Sequence, residues 1–211
     1  MSNSSLIWEY LRKAFHLSSL LIVVGYTLLL LFTTERIAIL SMTALLLILL
    51  EVEYVRLEHK PRIAAVLDGA FRKHEKDNIS GAVFIVISCI ICFAVFDYWI
   101  AFMALLMTVF GDLVSALMGK TFGKRKLYRN KTIIGTGSGL AANVIVGVLT
   151  LPSFLIVTIP MAITATITEM VTNKLDDNLT VPLFAGFLGQ MIVIFFEIEL
   201  PPIEFTLLGL F

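Results

Sequence analysis

The chain has 211 residues, 58% hydrophobic and 15% charged, with a mean hydropathy of +0.94 and a formal net charge of zero. That composition exceeds ordinary globular usage and excludes a conventional soluble domain; it points to a polytopic membrane protein, all-α, with room for about seven spans in one integral-membrane domain over residues 1–211. No nucleic-acid partner is expected.

Apolar runs predict the helices in chain order. The first covers about Ala14 to Phe32. It lacks a small-residue cleavage site, so it reads as a retained span and not a signal peptide. Arg12, Lys13 and His16 lie at its start, with Arg12 and His16 at i,i+4 on one face. The second runs from Ile37 to Val55 and closes on Glu53 and Arg56, an i,i+3 pair suited to bracing the membrane edge. The third, Gly81 to Phe96, contains Cys89 and Cys92. With no second pair and no His nearby, this Cys-x-x-Cys reads as packing thiols.

A tight link at Asp97 and Tyr98 leads into the fourth run, Trp99 to Met118, which carries Asp112. A loop follows with Lys120, Lys124, Arg125, Lys126, Arg129 and Lys131. The fifth run, Thr136 to Leu151, opens among Gly135, Gly137 and Gly139; Pro152 and Ser153 then turn into the sixth, Phe154 to Val171, with Glu169 at its end. The seventh, Val181 to Phe196, follows Asp177 and Asn178. Trp8, Tyr26, Tyr98 and Trp99 suit interfacial positions. Asn143 and Gln190 read as interhelical hydrogen-bonding groups.

The basic residues orient this bundle. Fifteen of the 16 Lys and Arg fall on one side of the seven-span map, and only Arg36 falls on the other. The positive-inside rule makes the rich side cytosolic, with the N-terminus inside and the C-terminus external. Asp112, the Lys120–Lys131 loop, Glu169, Asp177 and Asn178 then share the cytosolic surface. A soluble nucleotide reaches that surface from water, and a lipid headgroup reaches it through the bilayer.

An acid within a span costs several kcal/mol unless it faces a polar cavity, so Asp112 marks a functional site. It suits Mg²⁺ ligation, because Mg²⁺ takes one or two carboxylates plus phosphate oxygens and water. Its bland alternative is a buried pair with a lysine. Glu169 and Asp177 are candidates for a second metal ligand or for the base that takes a hydroxyl proton. Asn178 suits a phosphate, a ribose or a metal, or serves as a helix cap. Gly135, Gly137 and Gly139 would let backbone N–H groups approach phosphate at a helix start, or else would pack helices closely. A Walker A loop is absent.

Five pieces of the chain, in order, resemble the CTP-dependent lipid kinases: dolichol kinase, phytol kinase and yeast-type diacylglycerol kinase. They are Glu9-x-x-Arg12-Lys13-x-x-His16; Glu53-x-x-Arg56; Glu75 with Gly81; Gly111-Asp112-x-x-x-Ala116-x-x-Gly119-Lys120-x-x-Gly123-Lys124 with Lys131-Thr132-x-x-Gly135; and Glu169 with Asp177-Asn178-Leu179-Thr180-x-Pro182. The fourth piece is shared with the related CDP-diacylglycerol synthases. One departure is Thr132-Ile133-Ile134-Gly135, which lacks the acid of a Ser/Thr-x-Glu-Gly pattern.

The resemblance implies transfer of the γ-phosphoryl group of CTP to a membrane lipid alcohol, with Mg²⁺ as cofactor. It implies catalytic roles for Asp112, Glu169 and Asp177, with Asp112 and Asp177 as metal ligands. It implies nucleotide contacts from Lys120, Lys124, Lys131, Thr132, Gly135 and Asn178. Arg12, Lys13 and His16 would bind a lipid headgroup or phosphate. A homo-oligomer is compatible with this reading. The rival readings are a cytidylyltransferase that makes a CDP-lipid and a non-enzymatic lipid transporter or binding protein.

The basic asymmetry generates a test of topology. Single cysteines placed within Lys124–Arg129 and at Asp97–Tyr98, in a background lacking Cys89 and Cys92, should label from opposite sides of sealed vesicles. Labelling from one side only would overturn the seven-span map.

Overall fold

A computed structural model describes residues 19–59, 78–129, 131–172 and 175–203. Trp8, Glu9, Arg12, Lys13, His16, Glu75, Asn130 and Lys174 lie outside the described residues. The elements in order are α1 (Ser19–Phe32), α2 (Glu35–His59), α3 (Gly81–Val95), α4 (Tyr98–Phe122), β1 (Lys126–Tyr128), β2 (Lys131–Thr132), α5 (Ile133–Thr150), α6 (Leu155–Val171) and α7 (Asp177–Phe195). The described chain is all-helical apart from one small hairpin. Residues Glu35–Glu58 of α2, together with α4, α5 and α7, are long and apolar enough to cross a membrane; α1, α3 and α6 are apolar but shorter.

Helix α4 is the centre of the bundle. It packs against α1, α3, α5, α6 and α7. One side supplies Ile100, Met103, Ala104 and Met107 to a core shared with Val157, Met161, Ala165, Val181 and Ala185. The other supplies Ala101 and Leu105 to a core with Val23, Tyr26, Ile85, Val86, Cys89, Cys92 and Phe93. Cys89 and Cys92 are free thiols within that second core. Tyr26, expected at an interface, is instead buried, with its ring stacked on Phe93 at 3.9 Å between centroids. The large apolar ring gains more from that contact than from a wet rim position.

The bundle's outer surface is apolar as well. Leu149 and Phe195 are each 78% exposed, and Leu21, Phe32, Leu40 and Leu47 are also bare. An aqueous protein rarely carries so much exposed apolar area, whereas lipid tails cover it at no cost.

Helices α4 and α5 approach through a seam of small residues: Gly111, Ser115 and Gly119 face Gly135, Gly139 and Asn143. A Cβ on Gly135 would lie 2.8 Å from the Ser115 carbonyl oxygen and 3.0 Å from the Gly119 Cα. A Cβ on Gly139 would lie 2.9 Å from the Ser115 Cβ. Backbones can meet this closely only where side chains are missing.

Several elements differ from the apolar runs, and three of the differences bear on the site. Helix α4 continues past Met118 to Phe122, so Lys120 sits on its last turn and not in a loop. The segment beyond forms an antiparallel hairpin that pairs Lys126 with Thr132 and Tyr128 with Lys131. Its turn places Arg129 at φ 50°, with the guanidinium 5.2 Å from the centroid of the Tyr128 ring. Helix α7 starts at Asp177, ahead of the expected Val181, because Asp176 caps it by accepting a hydrogen bond from the Asn178 N–H. Asn178 is therefore a buried first-turn residue and not the cap.

At the bundle end away from the hairpin, Gln190 and Asp97 hold each other reciprocally. The Asp97 N–H donates to Gln190 Oε1, and Gln190 Nε2 donates to Asp97 Oδ2, both at 2.8 Å. Asn143 Nδ2 likewise donates to Thr166 Oγ1 at 3.1 Å, joining α5 to α6.

The seam makes a specific demand on side-chain size. Gly139→Ala should lower the thermal unfolding temperature in detergent, because overpacking costs about 1–3 kcal/mol. Gly137→Ala should leave it unchanged or raise it, since nothing lies within 4 Å of a Cβ at that position. Equal responses would mean that the helices do not meet along this face.

Candidate active site

The α4–α5 seam determines where Lys131 goes. Gly123 closes α4, donating its N–H to the Gly119 carbonyl at 3.0 Å. The short hairpin then returns the chain to Thr132, whose side chain caps α5 by accepting from the Gly135 N–H at 3.1 Å. Lys131 lies one residue before this cap. Its Nζ donates to Glu169 Oε1 on α6 at 2.6 Å.

Glu169 is buried, as are Asp112 and Ser115 on α4. Ser115 Oγ donates to the same Glu169 Oε1 at 2.6 Å and lies 3.3 Å from the Asp112 carbonyl oxygen. Asp112 is three residues back from Ser115, about 15 Å from the end of α4 at 1.5 Å per residue. Asp177 comes from the start of α7. Burial pulls the Lys131 ammonium down, but the Glu169 carboxylate outweighs it, and Asp112 and Asp177 add to the effect. Together they hold the lysine above its ordinary 10.5. Three acids from α4, α6 and α7 thus act on one lysine from β2.

The remaining candidates take different positions. Lys120 and Lys124 are exposed at the rim, where α4 gives way to the hairpin. Gly135 is a contact residue of the seam, and its N–H is occupied by Thr132. Asn178 is buried beside Asp177; its Nδ2 donates to the Gly81 carbonyl at 3.4 Å, and its Oδ1 has no hydrogen-bond partner among the described residues. Arg12, Lys13 and His16 lie outside the described residues. Glu53 and Arg56 form the expected i,i+3 pair, and Arg56 also donates to the Asn78 carbonyl at 2.6 Å, tying α2 to the approach to α3.

Sequence reasoning missed two residues. Ser115 carried one signal, its place between Gly111 and Gly119 in an i,i+4 series of small residues. Ser88 carried another, the proline at 182. Pro182 has no N–H for the Asn178 carbonyl four residues back. Ser88 Oγ on α3 lies 2.6 Å from that oxygen and donates to it.

The donor set fits a metal only in part by itself. Among the described residues no three His, Cys, Asp or Glu side chains gather as a ready cage. Mg²⁺ needs only one or two carboxylates when phosphate oxygens and water complete its shell. Asp112 and Asp177 are carboxylates of the kind such a site uses.

No protein-family model matches the chain, and no curated protein and no solved structure matches it.

The Lys131–Glu169 pair generates its own test. Removing one partner of a partly buried pair leaves an uncompensated charge and costs more than removing both. Lys131→Met should therefore destabilise the wild-type protein more than it destabilises Glu169→Gln, as read by thermal unfolding in detergent. Because the lysine is held above 10.5, the stability of the pair is complete below that pH and falls away as pH rises through the raised value. Additive losses would show that the two groups do not interact.

Proposed function

We propose that this chain is a membrane-embedded, CTP-dependent lipid kinase that transfers the γ-phosphoryl group of CTP to the hydroxyl of a lipid alcohol. The observation that carries the reading is the Lys131–Glu169 pair, which joins the hairpin to α6 and is braced by Ser115 of α4; Asp112 and Asp177 also act on the lysine electrostatically. The apolar exterior and the seven apolar helices support a seven-span bundle. Helix α6, with 17 residues, rises about 26 Å and α3, with 15, about 22 Å, against a hydrocarbon core of about 30 Å. On this reading the hairpin end is cytosolic.

Phosphoryl transfer is mainly positioning and charge neutralisation, with the attacking and leaving oxygens roughly in line. Lys131 neutralises charge on the transferring group. Lys120 and Lys124 at the rim receive the other phosphates. Glu169 accepts the proton of the lipid hydroxyl, and the lipid arrives sideways between helices. Asp112 and Asp177 would hold Mg²⁺, which supplies further neutralisation of the phosphates when bound with CTP. The choice of CTP rests on the resemblance of the motifs.

Incubation of the purified protein with γ-labelled CTP and a panel of lipid alcohols tests this reading. Label should pass to the organic phase; label in pyrophosphate would favour a cytidylyltransferase instead. Asp112→Asn should cut transfer by orders of magnitude with folding intact. Lys131→Ala should lower kcat/KM for CTP roughly ten- to a hundredfold, as expected for one charge-assisted hydrogen bond. Arg125→Ala, which alters an exposed and screened charge, should change it little. Equal losses for Lys131→Ala and Arg125→Ala would mean that the hairpin acts only as a diffuse positive field.

A further inference from the structure

Glu169 has an asymmetric environment. Its Oε1 receives two short hydrogen bonds, from Lys131 Nζ and from Ser115 Oγ, both at 2.6 Å. Its Oε2 receives none among the described residues. The two donors also differ in access. The Lys131 side chain is 35% exposed and that of Glu169 is 8% exposed, while Ser115 is buried. An anion arriving from the cytosolic end therefore reaches the lysine first and has no approach to the serine.

A triphosphate carries more negative charge than one carboxylate and competes for the same ammonium. Once Lys131 turns to it, Glu169 would be a buried carboxylate with a single remaining donor. The Ser115 hydroxyl then decides whether the carboxylate keeps its orientation. Its side chain is short, it sits on the central helix, and it is wedged against Gly139, so it has little freedom to follow the lysine.

We propose that Ser115 is a positioning residue for phosphoryl transfer: it holds Glu169 through Oε1, so that Oε2 stays available as proton acceptor after the phosphates draw Lys131 away. This role rests on the kinase reading. In the step it serves, the lipid hydroxyl oxygen forms a bond to the γ-phosphorus. The bond from that phosphorus to the β,γ-bridging oxygen breaks, and its electron pair leaves with CDP. The hydroxyl proton passes to Glu169 Oε2. Ser115 touches no reacting atom; it acts only through Glu169.

The test is a double-mutant cycle in kinetics, with the full chain in detergent, lipid alcohol fixed and CTP varied. Ser115→Ala keeps the Cβ that meets α5 and should fold, with at most a modest fall in unfolding temperature from the lost hydrogen bond. It should lower kcat about tenfold or more, the effect of losing a hydrogen bond to a charged group, with KM for CTP held within about twofold. Ser115→Cys, which keeps the volume but donates weakly, should show the same split and guards against a folding artefact. In a Glu169→Gln background, Ser115→Ala should cause no further loss, because residues that act through one another are not additive. If the two losses multiply, if KM rises in place of the fall in kcat, or if Ser115→Ala is fully active, the positioning role is wrong while the kinase reading stands. If the wild-type protein moves no label from γ-labelled CTP to lipid, the kinase reading fails and the role of Ser115 falls with it.

Discussion

The close approach of α4 and α5 is the constraint on which the rest of the site depends. A Cβ at Gly135 or Gly139 would meet α4 at under 3 Å, so backbone lies against backbone along this seam. Two helices this near leave only a short return between them. The hairpin is that return, and it delivers Lys131 one residue before the Thr132 cap. A wider gap would carry the lysine away from α6. The pairing of Lys131 with Glu169 is in this sense a result of missing side chains. The stability of the seam and the charge arrangement of the site are one property seen at two places.

The charges are graded by depth. Asp112, Ser115 and Glu169 are buried, Lys131 is partly covered, and Lys120 and Lys124 are exposed. Three acids against one lysine leave the interior short of positive charge, whereas the rim has a surplus of it. A bare anion would be repelled by such an interior, and a bare cation would find no welcome at the rim. On the proposed reading, a triphosphate carrying a divalent cation satisfies both zones, with the metal toward the carboxylates and the phosphates toward the lysines. Low dielectric around the buried groups makes each mismatch expensive, which sharpens this preference.

Much of the architecture was legible in the sequence because long apolar runs leave few choices. A helix satisfies its own backbone, so each apolar run had to be one. The positions of Asp112, Glu169 and Asp177 stood out for the same reason, as acids in or beside apolar runs. The features that escaped depend on contacts between runs. Ser115 looked like one more small residue until α6 was seen to place Glu169 beside it. Of the two readings open for Asn178, ligand contact or helix cap, the cap fell because Asp176 takes the free N–H group and starts the helix earlier. Tyr26 read as an interfacial ring because nothing in its own helix announces Phe93. The basic loop read as coil, since Arg129 takes the left-handed region without the usual glycine signal.

Pro182 gives the site an unusual suspension. It removes the helical partner of the Asn178 carbonyl, and Ser88 on α3 takes the vacancy at 2.6 Å. The opening turn of α7 is thus fastened sideways to a neighbour as well as to its own helix, where the Leu179 and Thr180 N–H groups donate to the Asp176 carbonyl, and Asp177 lies in that turn. Its carboxylate answers to two masters. Sliding of α3 would swing it relative to Lys131 even with the body of α7 at rest. On the proposed reading, a lipid pressing on α3 would therefore have mechanical purchase on a charge that it never touches.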